Sequence, residues 1–413
     1  MPETVAVIGT LDTKALEIRY LADLIHSQGC RTLIVDVGVF AQEVLVPDIS
    51  RAEVAAGAET TPAAILESHD RSYAVKTMMQ GGAAVLKQRS NRGEFTAVIA
   101  LGGGTGTHIT AGIMRALPTG IPKLIVSTVA SRDMSPVIGS KDITVMHSVA
   151  DLAGLNFMTR KILADAAGAI VGMVRSPAVP VSERPVVGLT SFGPLNECAS
   201  ISREMLAGLG YEVVPFHAIG SGSVAMEDLV DQGAIQGVLD LALHEFADQM
   251  YHGYCGRIGR DRLETPGRKG VPHVILPGGL DMIAFECTSI EHVPEGLRQR
   301  QFLAHDFRSF VRTSADDLRA LAVLVADKLN RSAHPATVIL PLHGWSKADA
   351  PGGPYFAPEI NAVFVYELKA RLSPRVRVLE VSAHINDREC ARVAVGELHS
   401  LMQQAAGLSR PGM

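Results

Sequence analysis

Residues 95–117 read FTAVIALGGGTGTHITAGIMRAL. The opening FTAVIAL is β-branched and apolar without alternation, the pattern of a strand buried on both faces of a parallel sheet. The closing ITAGIMRAL has helical spacing, so the glycines between them form the turn of a βα unit. Such turns lie at the carboxyl ends of strands, where open α/β sheets bind their ligands. Consecutive glycines let main-chain N–H groups approach an anion without a Cβ in the way, and the following helix adds the positive end of its dipole. Gly102, Gly103, Gly104, Thr105, Gly106 and Thr107 are therefore the first candidate site, a phosphate cradle, with a ligand-free tight turn as the plain alternative. No lysine follows the glycines, so this is not GxxxxGK[ST]. Thr107 stands at the third glycine position of GxGxxG, which leaves that match partial.

Working outward, TVAVIGT at 4–10, RTLIVDVG at 31–38 and PKLIVST at 122–128 repeat the buried-strand pattern. KALEIRYLADLIHSQG at 14–29 has apolar residues at three- and four-residue steps, with Gly29 as a C-terminal cap. The first strand ends in a second candidate segment, Gly9, Thr10, Leu11, Asp12, Thr13 and Lys14. Asp12 or Thr13 caps the next helix in this reading, and Lys14 near a helix N-terminus is well placed only if an anion is there. Asp36, closing the second strand, is a candidate for a ribose hydroxyl. The turn Ser127–Asp133 adds hydroxyls and the pair Arg132 and Asp133.

The proline-rich RSPAVPVSERP at 175–185 reads as a linker, which divides the chain into domains at 1–180 and 185–413. The pattern then restarts with PVVGLTSFG (185–193), a helix from about Asn196 to Leu209, YEVVPFH (211–217), AIQGVLDLA (234–242) and PHVILPGG (272–279). ATVILPLHG (336–344), a helix near 358–371 and VRVLEVSAHI (376–385) complete it. The expected fold is α/β, two Rossmann-like domains with mainly parallel sheets facing a central cleft. In the second domain His217, His244, Asp281, His343 and His384 follow predicted strands and are the candidate acid–base groups. Asp240, His244 and Asp248 are spaced four apart, so a helix through them would present all three to a divalent metal or set up a general base. A hydrogen-bonded structural role is the alternative for each histidine. No HExxH or GxSxG is present.

The chain has 413 residues, and Lys plus Arg number 38 against 43 for Asp plus Glu, a net charge of −5. That balance gives no support to a nucleic-acid partner. No apolar run reaches the roughly 18 residues of a membrane helix, and MPETV lacks the basic start of a signal peptide. No membrane partner and a cytoplasmic location are the expectations. The five cysteines are scattered, with no CxxC pair, as in a reducing compartment.

GTLDTK at 9–14, GGGTGT at 102–107, PGGLDM at 277–282 and HGWSKADAPGGPYFAPE at 343–359 together resemble a known ATP-binding family. It is typified by the N-terminal inhibitory domain of a tomato protein acting against tobamovirus RNA replication. The resemblance covers nearly the whole chain. It implies two Rossmann-like domains, with ATP and Mg2+ bound by the first through Gly9–Thr13 and Gly102–Thr107. The plant protein has a further barrel-type domain for which this chain leaves no room, and a virus-related role is accordingly not expected. The function expected is an Mg-ATP-dependent enzyme acting on a small metabolite in the interdomain cleft. Lys14 or Arg132 would offset phosphate charge, and Asp12 would hold magnesium through water. A non-catalytic nucleotide-responsive regulatory protein and a sugar-nucleotide epimerase or transferase are the alternatives. A homo-oligomer is the expected state.

Overall fold

The computed structural model describes residues 3–40, 45–177 and 182–408. Two compact units divide it, Met1–Val179 and Pro180–Met413. Residues 178–181, inside the proline-rich stretch, lie outside the described residues.

Unit 1 runs β1 (Thr4–Gly9), α1 (Ala15–Ser27), β2 (Arg31–Asp36), α2 (Arg51–Ala56), α3 (Pro62–Glu67), α4 (Arg71–Asn91), β3 (Ala97–Gly102) and α5 (Gly104–Arg115). It continues with β4 (Lys123–Ser127), α6 (Ser135–Ile138), β5 (Ile143–His147) and α7 (Phe157–Arg175). The five strands form one parallel sheet in the order β2-β1-β3-β4-β5. Alternate residues of each strand enter opposite cores. Ala6, Ile8, Val98, Ala100 and Ile125 pack with α4 and α5, whereas Val5, Val7, Ile99, Leu101 and Val126 pack with α1 and α7. Burial on both faces explains why these segments read as unbroken apolar runs. Gly29, at φ +87°, ends α1 with its N–H donating to His26 O (2.9 Å), a left-handed stop that glycine adopts at little cost.

Unit 2 begins with β6 (Val186–Ser191), α8 (Asn196–Gly208), β7 (Glu212–His217), α9 (Ser221–Asp231), β8 (Gly237–Ala242), α10 (His244–Met250), α11 (Thr265–Lys269) and β9 (His273–Gly278). There follow β10 (Met282–Phe285), β11 (Phe302–Ala304), β12 (Ser309–Arg312), α12 (Ala315–Asn330), β13 (Ala336–Pro341), α13 (Pro358–Arg371), β14 (Val376–Val381) and α14 (Arg388–Leu408). Six strands form a parallel sheet in the order β14-β13-β9-β8-β6-β7. The expected α/β architecture with mainly parallel sheets is present in both units.

Three details differ from the sequence reading. The strand–helix alternation is interrupted after β9 by a small antiparallel sheet, β10-β12-β11, that the short segments MIAF, FLA and SFVR do not announce. Helix α5 starts at Gly104, so Gly102 closes β3, Gly103 is the N-cap, and Gly104 and Gly106 already lie in the first turn of the helix. Neither Asp12 nor Thr13 caps α1; its N-cap is Lys14, without a side-chain cap.

Candidate functional site

In an open parallel sheet the ligand crevice lies where consecutive connections leave in opposite directions. In unit 1 the chain passes from β1 to β2 on one side, then crosses to β3 on the other, so that point lies between β1 and β3. A cavity of about 370 Å³ opens there, lined by Thr10, Asp12, Thr13 and Lys14 after β1 and by Gly103–Gly106 after β3. Val37–Phe40, Arg71, Ala74, Val75 and Ile109 complete the wall. Its size falls in the ordinary range for small-molecule sites.

Two helix N-termini meet at this cavity, and neither α1 nor α5 has a side-chain cap, so the amides of their first turns are left to other partners. A Cβ at Gly104 would find nothing nearer than Val129 Cγ1 at 4.0 Å. One at Gly102 would lie 2.7 Å from the backbone of Gly106 and Thr107, so only glycine lets strand and helix approach here. Arg71, from the start of α4, reaches the same place: Nη2 is 3.5 Å from Thr105 Oγ1, and the guanidinium sits 6.0 Å from the Phe40 ring. Lys14 is also in the lining, and its Nζ donates to Leu152 O. Asp12 is the lining's carboxylate; its Oδ2 accepts the amides of Val39 (3.2 Å) and Phe40 (3.0 Å) and so fixes the β2 loop as one wall.

The other expected residues of unit 1 serve the frame. Gly9 packs against Ile18, Leu11 is fully buried, and Thr107 Oγ1 pairs with Ser127 Oγ at 2.7 Å behind the turn. Asp36 is fully buried and accepts from Leu11 N, Gly38 N and Arg51 Nε, so it joins the loops and does not line the cavity. Arg132 is exposed and outside the lining; Arg71 is the cation that sequence reasoning missed.

In unit 2 the corresponding crossover point lies between β6 and β8. Phe192, just after β6, and His244, just after β8, stack there with ring centroids 3.6 Å apart. His244 is fully buried, and burial, reinforced by the neighbouring His217 and Arg262, pushes it down to about 3 against a backbone hydrogen bond to Ala218. His217 is exposed, its Nδ1 3.3 Å from Ser191 O. Asp281 accepts from Ser346 Oγ (2.7 Å), and His384 Nε2 lies 2.9 Å from Ser346 O, so these two expected residues meet across Ser346. Asn386 N donates to His384 Nδ1, which leaves Nε2 as the protonated nitrogen. Burial and the adjacent Asp349 charge raise Asp281 to about 7. His343 stands apart, exposed, with Nε2 3.4 Å from Ser382 Oγ.

The expected metal triad does not form. Asp240 lies within β8, not on α10, and pairs with the buried Arg262; Asp248 accepts the amides of Cys255 (2.7 Å) and Ala284 (2.8 Å). Among the described residues no group of three or more His, Cys, Asp or Glu could hold a metal ion. Arg262 also binds Glu245 (3.2 Å), whose other oxygen takes Gly220 N and Ser223 Oγ at 2.6 Å each. Burial alone would raise Asp240, yet the guanidinium outweighs it and holds the carboxyl well below its usual range. A larger open groove of about 500 Å³ between α9 and residues 259–268 contains none of the expected residues. Its Arg268 pairs with Asp231 (3.3 Å) and Asp261 (3.5 Å). No helix among the described residues is long and apolar enough to cross a membrane.

Comparison with known proteins places these features in a family. Solved structures including MurG of Acinetobacter baumannii (12% identical, TM-score 0.22, covering 100% of this chain and 96% of that one) have scores too low to carry an argument. Sequence relatives are far more informative. A protein of Clostridium tetani is 37% identical over 98% of this chain and 100% of its own length. A protein of Mesorhizobium japonicum is 37% identical over 95% of this chain and 98% of its own. The ToMV resistance protein Tm-1(GCR237) of Solanum lycopersicum is 33% identical over 94% of this chain, which spans about half (54%) of the tomato protein. Residues 3–178 match the "Uncharacterised protein family (UPF0261) N-terminal domain" and residues 184–402 match its C-terminal domain. With both units matched over nearly their full length, the chain belongs to the UPF0261 family.

Proposed function

We propose that unit 1 is an ATP-binding module and that the protein uses Mg-ATP to act on a small metabolite. The observation that carries the reading is the meeting of two uncapped helix N-termini, one made of Gly104-Thr105-Gly106, at a 370 Å³ cavity on the crossover point of the sheet. Uncapped amides and the dipole ends of α1 and α5 favour a polyanion. Lys14 and Arg71 supply positive charge, and the Phe40 ring gives a flat apolar surface for a base.

The residues fit a nucleotide better than a metal alone. Asp12 is the one carboxylate among the described lining residues, so magnesium would arrive with the phosphates and meet Asp12 Oδ1, directly or through water. Bound there, the ion would neutralise charge on the phosphate oxygens during transfer. The chain's own part is to hold the phosphates on the α5 turn and to keep the β2 loop in place through Asp12.

The test is ADP formation by the full chain with Mg-ATP against a panel of metabolites. Metabolite-stimulated ADP supports the enzyme. Saturable ATP binding without ADP under any metabolite supports the alternative, a nucleotide-responsive regulatory protein, and excludes the catalytic reading.

A further inference from the structure

Lys14 stands at the N-cap of α1 and lines the unit 1 cavity, yet the one partner of its ammonium among the described residues is Leu152 O, 138 residues away. Leu152 lies in the connection between β5 and α7, with its side chain fully buried. One turn further along α1, the buried Glu17 holds the same connection, its Oε1 accepting Gly154 N at 2.6 Å. Two ties to residues 148–156 therefore come from the start of a helix whose N-terminus faces the cavity.

The connection is held in a shape it would not keep unaided. Ala150 N donates to Ser148 O at 2.6 Å around Val149 at φ +62°, a three-residue turn of the rare hand. Left-handed backbone is strained for a β-branched residue, and Val149, 63% exposed, gains little burial in return. Strain of this kind persists only where neighbouring contacts fix it.

An ammonium carries three N–H donors, and Leu152 O takes one. A phosphate on the first turns of α1 and α5 meets a cation already oriented by that carbonyl and engages a second donor without breaking the first bond. Phosphate then fixes the lysine that ties the connection, and the ordered connection presents the lysine to phosphate. The charge of Glu17 works the other way, since a carboxylate one turn from Lys14 repels an anion. What Glu17 gives the site is its bond to Gly154 N.

We propose that the β5–α7 connection is a strap whose order is coupled to phosphate binding through Lys14, with Glu17 as the positioning residue that holds it. The coupling rests on the nucleotide reading of the cavity.

The experiment is amide hydrogen exchange on the full chain, free and with saturating ATP or inorganic tripolyphosphate, for the parent and Lys14→Met. ATP titrations of the parent, Glu17→Ala and Glu17→Gln run beside it. The reporting amides are those of Ala150 and Gly154. In the parent both ligands should slow exchange over the strap as well as over the α5 turn. Without ligand, Lys14→Met should exchange about fivefold faster over the strap, and ATP should restore none of the protection. Glu17→Ala, which strands Gly154 N, should weaken ATP binding about fivefold or more, whereas Glu17→Gln, which keeps an oxygen for that amide, recovers it to within about twofold. Charge alone predicts tighter binding in both Glu17 variants, and unchanged or tighter binding in Glu17→Ala would overturn the proposal. Protection of the α5 turn without the strap, or strap protection that survives Lys14→Met, would also overturn it and leave the nucleotide reading standing. No protection of the α5 turn by either ligand would remove the nucleotide reading and the coupling with it.

Discussion

Gly104→Asp separates a ligand site from a structural turn because its two consequences have opposite signs. The backbone at Gly104 is ordinary helix, and the nearest atom to a built Cβ is Val129 Cγ1 at 4.0 Å, so the new side chain fits. An acidic residue in the first turn of α5 also complements the helix dipole, which stabilises by about 0.3–1 kcal/mol. In the absence of ligand the variant should be as stable as the parent or slightly more so. With ATP the same carboxylate faces the phosphates. At about 5 Å and an effective dielectric of about 20, one such pair repels by about 3 kcal/mol, which is about a hundredfold in Kd. Urea unfolding with and without ATP reads both effects. At 100 times the parent Kd, ATP should stabilise the parent by about 2.7 kcal/mol and the variant by only about 0.4 kcal/mol. Gly104→Ala, which fits the same space without charge, should keep binding within about threefold. An unchanged ATP-induced stabilisation in Gly104→Asp refutes the assignment of the α5 turn to phosphate.

Two further perturbations probe unit 2. Replacing Arg262 by Met strands Asp240 and Glu245 in the interior, and breaking a buried pair of this kind costs about 3–5 kcal/mol; chemical denaturation should show a loss of that size, and a change under 1 kcal/mol would contradict the network. Asp281, raised to about 7 in the folded chain, binds a proton there that the unfolded chain releases near pH 4. Its contribution is therefore full below about pH 4 and is lost as pH rises through about 7. The stability of Asp281→Asn relative to the parent should improve from pH 5 to about pH 7 and level off above it, and a difference that is flat with pH throughout would remove the protonated Asp281.

The main strands were legible because their reason for existing is written locally. Past the polar first residue of β1 and of β9, TVAVIG, AVIALG and HVILPG are apolar at every step, as burial on both faces requires. Strand β5 was not, since ITVMH is a half-exposed edge strand with threonine and histidine in it. The antiparallel strands β10 to β12 are only three or four residues long and carry no turn signature that separates them from loop. At the candidate site, the glycine turn and GTLDTK are visible because each combines a strand end with a helix start. Arg71 is not, because it lies over thirty residues before Thr105 in an unremarkable helix, and tertiary packing alone brings it there. The spacing of Asp240, His244 and Asp248 misled for a related reason. A four-residue period is helical only if one helix spans it, and here β8 ends at Ala242 while α10 begins at His244.

The central claim, that unit 1 binds ATP at the junction of β1 and β3, is tested most directly by calorimetric titration of the full chain with ATP, with and without magnesium, in parallel with Arg71→Ala. The account predicts saturable one-site binding, tighter with magnesium and weakened by about tenfold or more in Arg71→Ala, as expected for loss of a hydrogen bond to a charged group. No heat of binding at millimolar Mg-ATP would contradict it and return the glycine turn to a purely structural role.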